Sequence, residues 1–257
     1  MKLSAYIVCF VSMVSAQKTS FDTNAFIKQV RSSYHSFEID STISLSSYLS
    51  TQSFNTYYRS KTTDKFKFPV KINWSKVKQI SLEKEHVDIG TSDIEQKQSD
   101  VLTLTRFFLQ NWLDFSVNDL IPMQAINYNF SVKGKRVYFS YISQNGKQFD
   151  RIAREFGMNG LLLEVIVQVA SKHTLKIQPT YQSIAGKWLC TGWTYQKIDQ
   201  DQNVVEGMKV ELVQKRIGKN WYPHGAYVTI QTQQQSNRIV SEQLYFRNYH
   251  LVGAELN

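Results

Sequence analysis

From residue 125 to residue 252 the chain is a nearly unbroken succession of short apolar-rich segments, and this run limits the possible folds more than any other feature. "YNFSV" (128–132), "KRVYFSYIS" (135–143), "QFDRIAREF" (148–156) and "GLLLEVIVQVA" (160–170) follow one another. "TLKIQP", "KWLCTGWTYQKI", "MKVELVQKRI", "AYVTIQTQ" and "SEQLYFRNYHLV" continue the series to residue 252. Lys133-Gly134-Lys135, Asn145-Gly146 and Asn159-Gly160 punctuate it. Asn-Gly is a strong hairpin signal, because the tight turn between twisted strands needs positive φ at its central residues. Successive strands joined by tight turns predict an antiparallel meander. Aromatic residues make up 13% of the chain, and they pack well on pleated surfaces. In the fourth segment Leu161, Leu163, Val165, Val167 and Val169 share a parity that has to be dry, while Leu162, Glu164, Ile166 and Gln168 form a mixed face. In "WYPHGAYVTI" the alternation turns Ala226, Val228 and Ile230 inward.

The first half reads differently. Phe26, Val30 and Tyr34 recur at steps of four with Ile27 and Phe37 alongside, which predicts an amphipathic helix over 24–37 capped by Asp22, Thr23 or Asn24. A Ser/Thr-rich stretch follows, and its Ile43, Leu45, Tyr48 and Leu49 mark structure broken by loops. In "KFKFPVKINWSK" Phe66, Phe68, Val70, Ile72 and Trp74 alternate with Lys65, Lys67, Pro69, Lys71 and Asn73. That period predicts a strand with one apolar and one basic face, and Pro69 predicts an edge or a bulge. Residues 81–100 are acidic and polar and read as a hairpin or exposed loop. Residues 100–115 turn helical, with Leu104, Phe108, Trp112 and Phe115 in a stripe beside Phe107 and with Ser99 or Asp100 as cap. No solenoid repeat, low-complexity tract or domain boundary interrupts the chain.

The opening residues, "MKLSAYIVCFVSMVSAQ", have the form of a signal peptide: Lys2, an apolar run from Ala5 to Val14, and small residues before a cut at Gln17. Residues 1–16 are therefore read as a leader and 17–257 as a single β-rich domain. The protein is expected to be exported, periplasmic in a Gram-negative cell and secreted otherwise. Cys9 leaves with the leader, so Cys190 remains alone and no intrachain disulfide can form. Val8 stands where a lipoprotein signal needs a small residue. A net charge of +9 suits an anionic surface such as phospholipid headgroups.

No motif carries catalysis. The five histidines, His35, His86, His173, His224 and His250, show no metal-ligand spacing, and a Cys-based zinc site is excluded. There is no G-x-S-x-G elbow, phosphate loop or dinucleotide fingerprint. Glu83, Glu85, His86 and Asp88 cluster, but in a segment read as solvated. No catalytic residue, metal or cofactor is expected. Alternation puts the lysines around Phe66, Phe68 and Trp74 on the face opposite the rings, which argues against nucleic acid, where one groove has to offer both. Two glycosylation sequons occur, at Asn73 and Asn129.

The leader, the early amphipathic helix, the mid-chain helix and the long meander form a pattern. With "GKWL" from Gly186, "WYPHGAYVTI" from Trp221 and "LYFRNYHLV" near the end, it resembles the exported lipoprotein-carrier and outer-membrane lipoprotein-sorting (LolA-type) group over the last half of the chain. The resemblance implies an α+β, mostly antiparallel fold: a curved, incompletely closed β-barrel, or half-barrel, with two or three helices packed on or plugging it. It implies a soluble carrier whose apolar hollow accepts acyl chains. The expected lining is Phe66, Phe68, Trp74, Phe108, Trp112, Leu163, Val165 and Val228. The competing expectations are an envelope interaction module that binds a protein or anionic partner through Lys65, Lys67 and Lys71, and an enzyme with a site near His86.

Overall fold

A computed structural model describes residues 21–35, 44–75, 79–89, 92–116, 119–122, 126–145, 148–169, 173–232 and 238–252. The expected leader, Phe37, Ile43 and Gly146 lie outside the described residues.

Three helices and twelve strands alternate in the order α1 (Thr23–Ser33), β1 (Ser44–Thr51), α2 (Gln52–Arg59), β2 (Val70–Ser75), β3 (Gln79–Lys84) and α3 (Ser92–Ser116). Then come β4 (Ile126–Lys133), β5 (Arg136–Asn145), β6 (Gln148–Gly157), β7 (Leu162–Val169), β8 (His173–Ile184), β9 (Lys187–Ile198), β10 (Val204–Ile217), β11 (Asn220–Thr232) and β12 (Arg238–Val252). The nine segments predicted after residue 125 are these nine strands. All twelve form one sheet in the order β3-β2-β1-β12-β11-β10-β9-β8-β7-β6-β5-β4. Every neighbouring pair is antiparallel. The sheet is not closed, and β3 and β4 are its edges. The turns use the residues that turns require: Gly134, Gly160, Gly186 and Gly218 all have positive φ.

β1 pairs with β12, Leu49 opposite Phe246, so the N-terminal strands extend the meander from its last strand. Lone segments such as 44–51 contain nothing that names a partner two hundred residues away. α3 then carries the chain from one edge strand to the other.

The sheet curls around α3. Between β3 and β9 lie six inter-strand steps, about 29 Å if the sheet were flat. A helix is only about 10–12 Å across. Yet on α3 Phe107 meets Tyr195 of β9 at 5.2 Å, while Leu109, Trp112 and Leu113 share a recess with Ile80 of β3. Strands that distant can reach neighbouring turns of one helix only if the sheet bends toward it. One core results, in which Phe108, Trp112 and Phe115 of α3, Phe26 and Val30 of α1, and Phe54 and Tyr58 of α2 pack with inward residues of the strands.

Several expectations need correction. The segment 81–100 is not a loop. It supplies the end of β3 and the first turns of α3, which begins eight residues before the predicted start. Ile94, Gln98, Val101, Thr105, Phe108, Leu109, Trp112 and Phe115 form a buried helical stripe, and the polar Gln98 hid its first part. The Gln98 amide donates to the carbonyls of Pro69 (2.8 Å) and Glu85 (2.7 Å), and Asp93 and Glu95 suit the helix N-terminus. The strand expected from Phe66 starts at Val70. It is flanked by β1 and β3, so Pro69 stands just outside an internal strand and marks neither an edge nor a bulge. The Ser/Thr-rich segment becomes β1 and α2, with Thr51 capping α2 through Phe54 N–H (3.2 Å). α1 begins at Thr23 behind Asp22, whose carboxylate accepts from Ala25 N–H at 3.0 Å, and ends at Ser33 instead of 37. Tyr34 then forms an isolated bridge to Trp188.

Candidate functional site

α3 divides the inner face into two flanks. Toward β9 and β12 aromatic rings fill the space: Phe108 lies 5.5 Å from Trp193 and 5.3 Å from Phe246, and Phe115 lies 5.9 Å from Trp193. Toward β1, β2 and β3 a narrow recess, partly open to solvent and about 20 Å³ in cavity volume, runs along the helix. Leu45, Ile72, Trp74, Leu109, Trp112 and Phe246 are among its walls, and its accessible lining is apolar. A volume of about 20 Å³ holds little more than one water molecule, against about 300–1,000 Å³ for ligand pockets. Ser47 keeps its hydroxyl off the recess by donating to Arg247 O at 2.9 Å, and the Tyr249 hydroxyl donates to Pro223 O.

The predicted lining divides three ways. Trp74 and Trp112 line the recess. Phe108, Val165 and Val228 are buried in the packed core, and Phe108 forms the partition between the flanks. Phe66, Phe68 and Leu163 lie elsewhere. Phe66 packs edge-on against Tyr245 at 5.3 Å, and Arg247 sits 5.3 Å above it and 5.7 Å from Phe68. Tyr245 and Arg247 alternate with the buried Leu244 and Phe246, so these two phenylalanines cover the outer face. Leu163 is displaced by a bulge: Glu155 pairs with Glu164 but Phe156 with Leu162, so Leu163 is skipped and Leu162 takes the fully buried place. A periodicity drawn through Leu161, Leu163 and Val165 cannot foresee that slip. Ala226 and Val228 are buried and Ile230 half-buried, as their alternation predicts.

Sequence reasoning missed the recess residues Leu45, Ile80, Leu109, Leu113 and Tyr249, because a strand pairing across the whole chain creates the recess. It also missed Arg154. Ile152, Arg154 and Phe156 share the inward parity of β6, and that was a legible signal. Arg154 is 6% exposed. Its Nη1 donates to the carbonyls of Leu120 (2.6 Å) and Asp119 (3.4 Å), and the Tyr141 ring lies 5.9 Å away. No described carboxylate forms an ion pair with it.

The remaining buried titratable groups are held neutral. Burial pushes the Cys190 thiol up to about 12 and Tyr195 up to about 12. Burial also raises Tyr34 and Tyr181. Cys190 is thus a protonated core residue that donates weakly to Gly192 O at 3.4 Å. His86 bonds Asp88 at 3.1 Å, but both are largely exposed, and Glu83 accepts from Asn73 (2.8 Å). These groups form no cleft. Among the described residues no group of three or more His, Cys, Asp or Glu side chains comes together to hold a metal ion. No described helix is long and apolar enough to cross a membrane. Comparison with known proteins brings no match: no family model, curated protein or solved structure resembles the chain.

Proposed function

We propose that this protein is an exported, non-catalytic binding or carrier protein for a lipidic ligand, built as a half-barrel with α3 across its mouth. The recess beside α3 carries the reading: an opening with apolar walls, between a helix and a sheet whose edges stay unjoined. Each methylene removed from water there contributes about 0.8 kcal/mol, which favours an acyl chain that enters as the short edge hairpin β2–β3 moves off α3 and widens the recess. The test is organic extraction and native mass spectrometry of the purified protein, followed by titration with a fluorescent acyl probe. A stoichiometric bound lipid, or saturable probe binding weakened at least tenfold by Leu113→Phe, supports the reading. Lipid-free protein that takes up no probe overturns it.

A second reading draws on the outer face. Arg247 over Phe66 and Phe68, beside Lys67 and Lys71, offers cations and rings together, as a contact surface for an anionic membrane or an acidic partner would. Vesicle binding that falls steeply with salt and is lost on charge reversal of Lys65, Lys67 and Lys71 would favour it.

A further inference from the structure

We infer that Arg154, Tyr181 and Trp193 form a buried receptor for a carboxylate group at the C-terminal end of α3, separate from the apolar recess.

The argument begins with an imbalance of charge. A guanidinium has five N–H donors and is ionised at every physiological pH. Burying it costs several kcal/mol unless an anion and good hydrogen bonds compensate. Arg154 is almost wholly buried, donates from one nitrogen to two carbonyls, is hydrogen-bonded to the Tyr141 side chain, and has no ion-pair partner among the described residues. Its Nε is buried with no hydrogen-bond partner. Buried polar groups left in this state are uncommon in native proteins.

Arg154 is not alone. The Tyr181 hydroxyl, the Trp193 indole N–H and the Ser116 hydroxyl are also buried without hydrogen-bond partners among the described residues. A series of ring contacts and strand pairings leads from one to the next. Ser116 follows Phe115, which packs on Trp193 at 5.9 Å. Trp193 pairs with Pro179, two residues before Tyr181 on β8. Tyr181 packs edge-on with Tyr34 at 5.2 Å, and the Tyr34 hydroxyl accepts from Leu162 N–H at 2.6 Å. Leu162 pairs with Phe156, the next inward residue after Arg154 on β6. Arg154 also acts electrostatically on the Tyr181 hydroxyl. Of these four groups one is a permanent cation, one is an obligate donor and two are hydroxyls free to donate. A set dominated by donors around a cation selects an anion. A planar carboxylate, which matches the guanidinium fork with two oxygens, suits it best. The carboxylate can be the head of a fatty acid or a small free acid, and the two sources differ only in the tail.

The test compares decanoate, acetate and decanol on the mature full chain, following Trp fluorescence and the melting temperature at matched ionic strength in chloride. Specific binding raises the melting temperature in proportion to occupancy. Decanoate binding at least tenfold tighter than decanol, with no acetate effect, assigns the site to an amphiphile head. A melting shift with acetate beyond that of chloride assigns it to a free small acid. In either case Arg154→Met should weaken the carboxylate at least tenfold, and Tyr181→Phe several-fold with an unchanged melting temperature, because that hydroxyl has no hydrogen-bond partner among the described residues. If Arg154→Met does not fold, the Tyr181→Phe and decanol comparisons decide. Equal affinity for decanoate and decanol overturns the carboxylate receptor and leaves the apolar carrier standing. No response to decanoate or acetate beyond chloride, or wild-type affinity in Tyr181→Phe together with a folded Arg154→Met, also overturns the receptor.

Discussion

The two flanks of α3 are made from similar residues and end up packed to different degrees. Toward β9 and β12, Phe107, Phe108 and Phe115 meet Tyr195, Trp193 and Phe246 ring against ring. Toward β1–β3, Leu109, Trp112 and Leu113 face Leu45, Ile72 and Trp74 across a recess. The difference comes from the partner strands. β9 and β12 are 12 and 15 residues long, about 40 and 50 Å, and so match or exceed the 25-residue α3 at about 38 Å. β2 and β3 are 6 residues each, and β3 has no outer neighbour. A short edge hairpin presents too little side chain to fill the space along a helix this long. An opening therefore falls beside the edge of the sheet, and the tight packing that supports it falls near the centre.

The largest effect that can break this comparison is truncation of the partition. Phe108→Ala should destabilise the protein by about 3–5 kcal/mol in urea unfolding, since Trp193 and Phe246 both lose a ring contact. A loss below about 1 kcal/mol would mean that the central flank is no better packed than the edge.

Enlargement makes a sharper test. Val228→Phe, on the packed flank, should cost about 1–3 kcal/mol through overpacking, whereas Leu113→Phe should cost under about 1 kcal/mol because the recess receives the added atoms. Equal costs would remove the distinction between the flanks.

Alkaline unfolding, compared between the wild type and a Cys190 variant, reports on the packed flank. The folded state holds the Cys190 proton to about pH 12, against an ordinary thiol value of 9.0. The unfolded chain releases that proton first. Stability is therefore intact below pH 9 and declines as pH rises from 9 toward 12, by at most about 1.4 kcal/mol per pH unit for this one group. Cys190→Ala should flatten the urea midpoint over that window, and an unchanged slope would show that the thiol does not contribute.

The smallest effect belongs to the ion pair between Arg31 and Asp119, 2.5 Å apart but roughly half exposed. Asp119→Asn should cost under about 1 kcal/mol, less still in high salt. A larger loss by thermal melting would show that the segment joining α3 to β4 is held mainly by charge.

How far the sequence can be read follows the same division. β4 to β12 were legible because each strand pairs with its neighbour in the chain, so local alternation and turn glycines carry the information. Gly192 shows what such reading misses within a strand: a Cβ there would sit 2.2 Å from Val210 O. β9 thus passes too close to β10 for any side chain, a demand that a glycine in "LCTGW" does not announce. The recess was not legible because β1 meets β12 only in space. Phe66 and Phe68 misled because alternation was carried past Pro69, where the strand had not yet begun. Leu163 misled because one bulged residue reverses every parity on its far side. Arg154 stood in plain view at an inward position, and reading it needed only the question of what a cation does there.

The pairing of β1 with β12 orders events in time as well as in space. Ser47 holds the carbonyl of Arg247, 200 residues further along, so the seam between them closes only after nearly the whole polypeptide has been made. Until then β1, β2 and β3 have nothing to dock on, and the wall they give to the recess does not exist. Closing so long a loop slows folding. β4 to β11, whose pairings join chain neighbours, can form earlier, so the recess is the last part of the fold to come together.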